Sequence, residues 1–172
     1  LYRWNGLTPL TDFIGLKNYQ AAFSSQVFWN AAGNNVFIIV LSLAIQIPFS
    51  LALAVMLNRK FPGRAIFRLL FFVPYVLSEA ITGIVFRLLL QPDALVDSSL
   101  KTVGLGGLVQ DWLGDSTIVM FTLFVIISWK YFGFHMIIML AGLQGIPREL
   151  EEAAYIDGAD RRTAFRYITL PL

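Results

Sequence analysis

The chain has no cysteine and a single histidine. The first absence removes disulfides, thiolate metal sites and cysteine nucleophiles together. The second removes any multi-histidine centre, so no metal is expected. Charge is scarce as well: 14% of residues are charged, against about a quarter in ordinary globular chains. Hydrophobic residues make up 57% and the mean hydropathy is +0.68. Such a composition belongs to a membrane protein. The 13 basic and 11 acidic residues leave a formal charge of +2, too balanced to suggest nucleic acid. Gly104, Gly106 and Gly107 do not make a phosphate-binding loop. No Gly-Lys-Ser/Thr follows them and no strand precedes them, so they read as a turn.

Three long apolar runs are present. Residues 36–57 carry no charge and, at about 1.5 Å per residue, span the roughly 30 Å hydrocarbon core. Gln46 and Pro48 lie near the middle, where proline predicts a kink and Gln46 is a structural or a solute-facing residue. The second run, 67–90, is interrupted by Arg68, Pro74, Glu79 and Arg87. The arginines near its ends can snorkel. Glu79 cannot, and a charge at the bilayer centre costs about 2.5–3.5 kcal/mol, so it is expected to face the bundle interior or water. Two readings of it stand: a hydrogen-bonded carboxyl steadying the helix near Pro74, or a place on a translocation path.

The third run, 117–143, carries Trp129, Lys130, Tyr131, Phe134 and His135. Lys130 is central and must turn inward by the same cost argument. Phe134, four residues on, shares its face. Trp129 and Gly133 share a neighbouring face, where glycine permits close helix packing. Aromatic rings beside a polar group suit a sugar cavity, because they stack on C–H faces while the polar group meets hydroxyls; plain packing is the other reading. His135 reads as a hydrogen-bonded interior residue rather than a proton relay. Before the first run, residues 1–35 read as an interfacial segment with a short helix near 17–25. Trp4, Tyr19, Phe28 and Trp29 there suit a membrane–water boundary. Residues 91–116 read as an acidic loop, with Asp93, Asp97, Asp111 and Asp115 against Lys101.

Most of the polar information lies in Ile146–Pro171. Pro147 suits a helix start, and Glu149, Glu151 and Glu152 favour its N-terminal turns. Asp157-Gly158 predicts a stop with Gly158 left-handed, and Asp160 a cap for a second helix bearing Arg161, Arg162 and Arg166. Glu152-Ala153-Ala154, three residues, Gly158, nine residues, then Ile168-x-Leu170-Pro171 resembles the coupling loop of permease subunits of binding-protein-dependent ABC importers. Gly15-Leu16-Lys17-Asn18-Tyr19, Phe72-Val73-Pro74, Gln91-Pro92-Asp93 and Ala141-Gly142-Leu143-Gln144 extend that resemblance over nearly the whole chain and favour its carbohydrate branch. The loop after Asp93 departs from the family, with Ala94 and Asp97 where glycine and asparagine are usual.

The resemblance implies an all-α membrane protein, a polytopic helical bundle of the ABC importer permease type. About three membrane helices and a cytoplasmic coupling helix, in the loop 144–168, would be present, all within one transmembrane domain. It implies that Glu152, Ala153, Ala154, Gly158, Ile168, Leu170 and Pro171 serve coupling to a separate ATPase dimer. The implied partners also include a second permease subunit and an external solute-binding protein. ATP would be used by the ATPase, with no cofactor bound by this chain. Glu79, Trp129, Lys130 and Phe134 are the candidate translocation-path residues. The sequence begins mid-phrase, and Pro171 leads toward another membrane helix. The 172 residues are therefore expected to be part of a longer permease and not to fold alone. Alternatives are a permease for a non-sugar solute, a passive channel, or an intramembrane enzyme using Glu79, Lys130 and His135.

Charge bias gives the orientation independently. The segment 58–68 holds Arg59, Lys60, Arg64 and Arg68, and 144–172 holds Arg148, Arg161, Arg162 and Arg166. Residues 91–116 hold Lys101 alone, and 1–35 hold Arg3 and Lys17. The positive-inside rule then puts 58–66 and 144–168 in the cytoplasm, and 1–35 and 91–116 outside; the resemblance implies that the membrane is the plasma (inner) membrane of a prokaryote.

Overall fold

The computed structural model describes residues 1–3, 6–7, 12–59 and 61–172. Trp4, placed above at a membrane boundary, and Lys60 of the basic turn lie outside the described residues. The chain divides into two compact units, Leu1–Val40 and Leu41–Leu172.

In the first unit, β1 (Tyr2–Arg3) pairs antiparallel with β2 (Asp12–Phe13). Helix α1 (Lys17–Phe23) follows, then α2 from Gln26. An aromatic knot marks the turn between them. The rings of Phe23 and Phe28 meet edge to face at 5.4 Å, and the Trp29 indole donates to the Phe23 carbonyl at 2.8 Å. Helix α2 starts well before the apolar run because Gln26, Asn30 and Asn35 find partners on the helix itself. Gln26 donates to Asn30 at 3.0 Å, and Asn35 donates to the Ala31 carbonyl at 2.8 Å.

In the second unit, a π-turn (Ser42–Gln46) precedes α3 (Ile47–Asn58). Pro48 offers no N–H to the turn before it, and a widened turn is one way a helix absorbs that. Helix α4 (Arg64–Val76) starts on Gly63, whose φ of 86° suits glycine. Helix α5 (Glu79–Leu89) then leaves α4 at 95°, so the apolar run over 67–90 is two helices rather than one. Pro74 lies in the last turn of α4. Leu77 and Ser78 are extended, and the Ser78 hydroxyl accepts from the Ile81 N–H at 3.3 Å as an N-cap.

Helix α6 (Leu95–Thr102) lies between α5 and α7 (Val119–Gly145) in sequence. The segment read as a plain acidic loop is pinned around Asp97, which is 2% exposed. Asp97 accepts from the Trp112 indole at 2.9 Å and from the Asp93 N–H at 2.9 Å. Asp93 pairs with Lys101 at 2.5 Å. The Trp112 hydrogen bond, then the Asp93 N–H, holds the Asp97 carboxyl below the usual aspartate range.

By length and composition, the helical runs Gln26–Asn58 and Val119–Gly145 can each cross a membrane, and the bent pair α4–α5 is a broken span or a re-entrant loop. The buried core of the second unit is Ala54, Leu57, Met136 and Leu140, where α3 meets α7. Close packing needs small residues there. Ser50 is fully buried and donates to the Phe132 carbonyl at 3.4 Å. Across α4 and α7, Gly133 faces the Phe71 carbonyl so closely that a Cβ would overlap it. The close packing expected of Gly133 is thus seen, with α4 as the neighbour.

Candidate functional site

Two regions hold the residues singled out above: the α4–α5 break with the middle of α7, and the segment after α7.

At the break, Lys130 is 3% exposed. Its ammonium donates to the Leu77 carbonyl, an acceptor freed by the end of α4, and to the Thr82 hydroxyl at 3.4 Å. The Glu79 carboxylate lies 3.4 Å away. An ammonium has three protons, and each has an acceptor within reach. Glu79 opens α5 and accepts from the Tyr131 hydroxyl at 2.7 Å. The Tyr131 ring meets Tyr75 at 5.8 Å, and Tyr75 stacks on Phe134 at 4.5 Å with the planes 12° apart. The structure therefore joins Glu79, Lys130 and Phe134 through Tyr75 and Tyr131, two residues that the sequence reading did not select. Their pairing spans the 95° turn, so no local spacing announces it.

Trp129 goes elsewhere. Its ring meets Phe86 edge to face at 5.1 Å. It lines an apolar cavity of about 640 Å³ with Phe49, Phe71, Phe124 and Phe132, and none of Glu79, Lys130 or Phe134 lines that cavity. Gln46 also reaches it, yet its side chain is 3% exposed and meets Nδ1 of His135 at 3.2 Å. That bond ties the π-turn to α7. Among the described residues no hydrogen bond joins His135 to Glu79 or Lys130.

After α7, α8 (Arg148–Ile156) begins one residue past Pro147, with Glu149 and Glu151 in its first turn. It ends in a paired cap: the Ala159 N–H donates to the Ala154 carbonyl at 2.9 Å and the Gly158 N–H to Tyr155 at 3.1 Å. Gly158 has φ of 87°, the left-handed conformation the Asp-Gly pair predicts. Asp160 caps α9 (Arg161–Ala164), accepting from the Thr163 N–H at 2.8 Å. The Thr163 hydroxyl and N–H hold the Asp160 carboxyl below the usual range. A second π-turn, Phe165–Thr169, continues α9, and its Thr169 hydroxyl returns to Glu151 at 2.9 Å. The result is a clasp of two short helices with a cavity of about 660 Å³, lined by Ala153, Ala154, Ile168 and Pro171 among others. Glu152 is exposed and, among the described residues, makes no side-chain hydrogen bond or ion pair. Leu170 is also exposed.

With this geometry in place, comparison with known proteins is informative. A family model described as "Binding-protein-dependent transport system inner membrane component" matches residues 46–172. The arabinooligosaccharides transport system permease protein AraP of Bacillus subtilis is 37% identical over 163 residues, covering 93% of this chain and 51% of AraP. The lactose transport system permease protein LacF of Rhizobium radiobacter is 34% identical, covering all of this chain and 57% of LacF. A crystal structure of a bacterial ABC transporter involved in import of the acidic polysaccharide alginate superposes with a TM-score of 0.78 at 28% identity. That match covers 92% of this chain and 56% of the other. The chain thus spans about half the length of the curated relatives it matches.

Proposed function

The chain belongs to the family of binding-protein-dependent transport system inner membrane components, and from that premise we propose that it forms part of the permease of an ATP-driven importer for a sugar or related solute. The relatives support the solute class: one is named for arabinooligosaccharides and another for lactose. The observation that carries the coupling role is the clasp after α7. Two capped helices joined through left-handed Gly158 leave Glu152 exposed and Ala153 open to solvent. Small residues let a partner surface approach the backbone, and Glu152 offers it an uncommitted charge. We read Ile168, Leu170 and Pro171 as the return arm that holds this clasp against the end of α7.

The partners of this reading are a dimer of ATPase subunits, which bind and hydrolyse ATP, a second permease subunit, and a solute-binding protein outside the prokaryotic plasma (inner) membrane. This chain itself holds no cofactor and performs no hydrolysis. Residues 58–66 and 144–168 face the cytoplasm, and 1–35 and 91–116 face outward, as the arginine and lysine distribution favours. Transport proceeds by alternating access. ATP draws the ATPase subunits together, the coupling clasps move with them, and the membrane helices open outward; hydrolysis returns them. The ATPase must therefore contact the clasp differently in the two states, since equal contact would shift nothing. On the membrane side, we assign Glu79, Lys130 and Phe134 to one wall of the solute path, with Tyr75 and Tyr131, and Trp129 to a separate apolar cavity.

The test uses the full-length protein carrying Ala153→Cys, in a chain free of other cysteines over these 172 residues. Crosslinking to the co-expressed ATPase that changes with ATP is the expected result. Solute uptake that continues with no such crosslink would refute the coupling assignment and favour a passive channel.

A further inference from the structure

A second cavity, shared by the clasp with the ends of α3 and α7, is separate from the one lined by Ala153 and Ala154. It measures about 740 Å³, and its lining includes Val55, Leu143 and Phe165 with Arg59, Arg161 and Arg162. Three arginines from two separate parts of the sequence thus line one space. The single carboxylate lining it, Glu151, already accepts from Thr169. No carboxylate lies within 4.0 Å of any of the three arginines among the described residues. Positive charge serving topology alone has no reason to converge on a half-apolar recess. Arginine is the side chain whose planar fork matches a phosphate in two hydrogen bonds.

We propose that this cavity binds a phosphate group carried on an uncharged stem, with Arg59, Arg161 and Arg162 on the phosphate and Val55, Leu143 and Phe165 on the stem. Two sources present that chemistry: the headgroup of an anionic phospholipid, or a free phosphorylated compound in the cytoplasm. The position favours the lipid. Val55 and Leu143 belong to the last turns of two helices long and apolar enough to cross a membrane, and basic recesses at the cytoplasmic ends of such helices take anionic headgroups. Occupancy would join α9 to the ends of α3 and α7 and so steady the clasp from the membrane side. The proposal rests on the cytoplasmic placement of this segment given above.

The experiment uses the assembled full-length transporter, delipidated in neutral detergent. Native mass spectrometry counts bound dioleoyl phosphatidylglycerol, with dioleoyl phosphatidylcholine as the zwitterionic reference and inorganic phosphate as the free competitor. Phosphatidylglycerol is expected to bind preferentially. Each arginine near the headgroup contributes about fivefold, so the combined Arg59→Gln, Arg161→Gln, Arg162→Gln variant weakens binding by about 100-fold. Arg148→Gln with Arg166→Gln, outside the cavity, changes it little. Should the triple variant fail to assemble, Arg162→Gln alone is expected to show its fivefold share. Binding of inorganic phosphate with the same dependence on the three arginines, and no preference for phosphatidylglycerol, would assign the site to a free phosphorylated compound. Equal binding of both probes by wild type and variants would overturn the site. The Ala153→Cys crosslink, followed in the same preparation, reports separately on ATPase docking.

Discussion

Replacing Lys130 with methionine gives the sharpest test of the α4–α5 break. The substitution keeps the length of the side chain and removes its charge. Three acceptors lose their donor: the Leu77 carbonyl, the Thr82 hydroxyl at 3.4 Å and the Glu79 carboxylate at 3.4 Å. They are not equal. Thr82 keeps its own bond to the Ser78 carbonyl at 3.0 Å. Glu79 keeps the Tyr131 hydroxyl at 2.7 Å, and its side chain is 72% exposed, so it loses least. Leu77 ends α4, and its carbonyl loses the ammonium; an acceptor left unsatisfied costs about 1–3 kcal/mol. Lys130→Met is therefore expected to destabilise the folded state by about 1–3 kcal/mol, most of it at Leu77. Glu79→Gln should cost clearly less. The assay is reversible denaturant unfolding of the full-length protein in mixed micelles, reading both variants against wild type. If Glu79→Gln costs as much as Lys130→Met, the ion pair and not the carbonyl holds the break, and the assignment of Lys130 is wrong.

Gly133→Ala should separate α4 from α7, because its Cβ would overlap the Phe71 carbonyl. Overpacking of that kind costs about 1–3 kcal/mol or more, whereas Gly142→Ala, with open space at its Cβ, should be neutral or stabilising in the same unfolding assay; equal losses would refute the close contact. Gly158→Ala must hold a side chain at φ of 87°, at a cost of about 1–2 kcal/mol. It should lower ATP-driven uptake and the Ala153→Cys crosslink together, and uptake unchanged beside a weakened crosslink would separate the clasp from coupling. Around Asp97, the folded carboxyl is held below its ordinary value. The packing is thus fully stabilised above the ordinary aspartate pKa, about 3.9, and loses that support as pH falls through the lower folded value. Trp112 fluorescence should shift in acid with a midpoint below about 3.9, and Asp97→Asn should remove that transition.

The polar ends of the chain were more legible than its middle. Asp157-Gly158 and Asp160 state their geometry in adjacent residues, and a left-handed glycine and an N-cap are what the structure contains. Gly133 likewise betrayed a close approach. The break at Leu77–Ser78 carries one local sign, Ser78 before Glu79 as an N-cap. An apolar run long enough to span a bilayer outweighed it. Asp97 was read as loop charge because its partner Trp112 lies fifteen residues away, beyond any local pattern. The division of Trp129 from Glu79, Lys130 and Phe134 follows from where α5 turns, which periodicity along α7 cannot carry.

The bend between α4 and α5 has one more consequence. Helix α4, with 13 residues at about 1.5 Å each, reaches about 20 Å, short of a hydrocarbon core of roughly 30 Å. The carbonyl of Leu77 at its end is met by Lys130, so a side chain of α7 does what water does at the end of a soluble helix. Lys130 and the Leu77–Ser78 break are thus a single heritable unit. A descendant that loses the lysine keeps its fold by restoring an unbroken helix through residues 77 and 78, or by recruiting another donor to the same carbonyl.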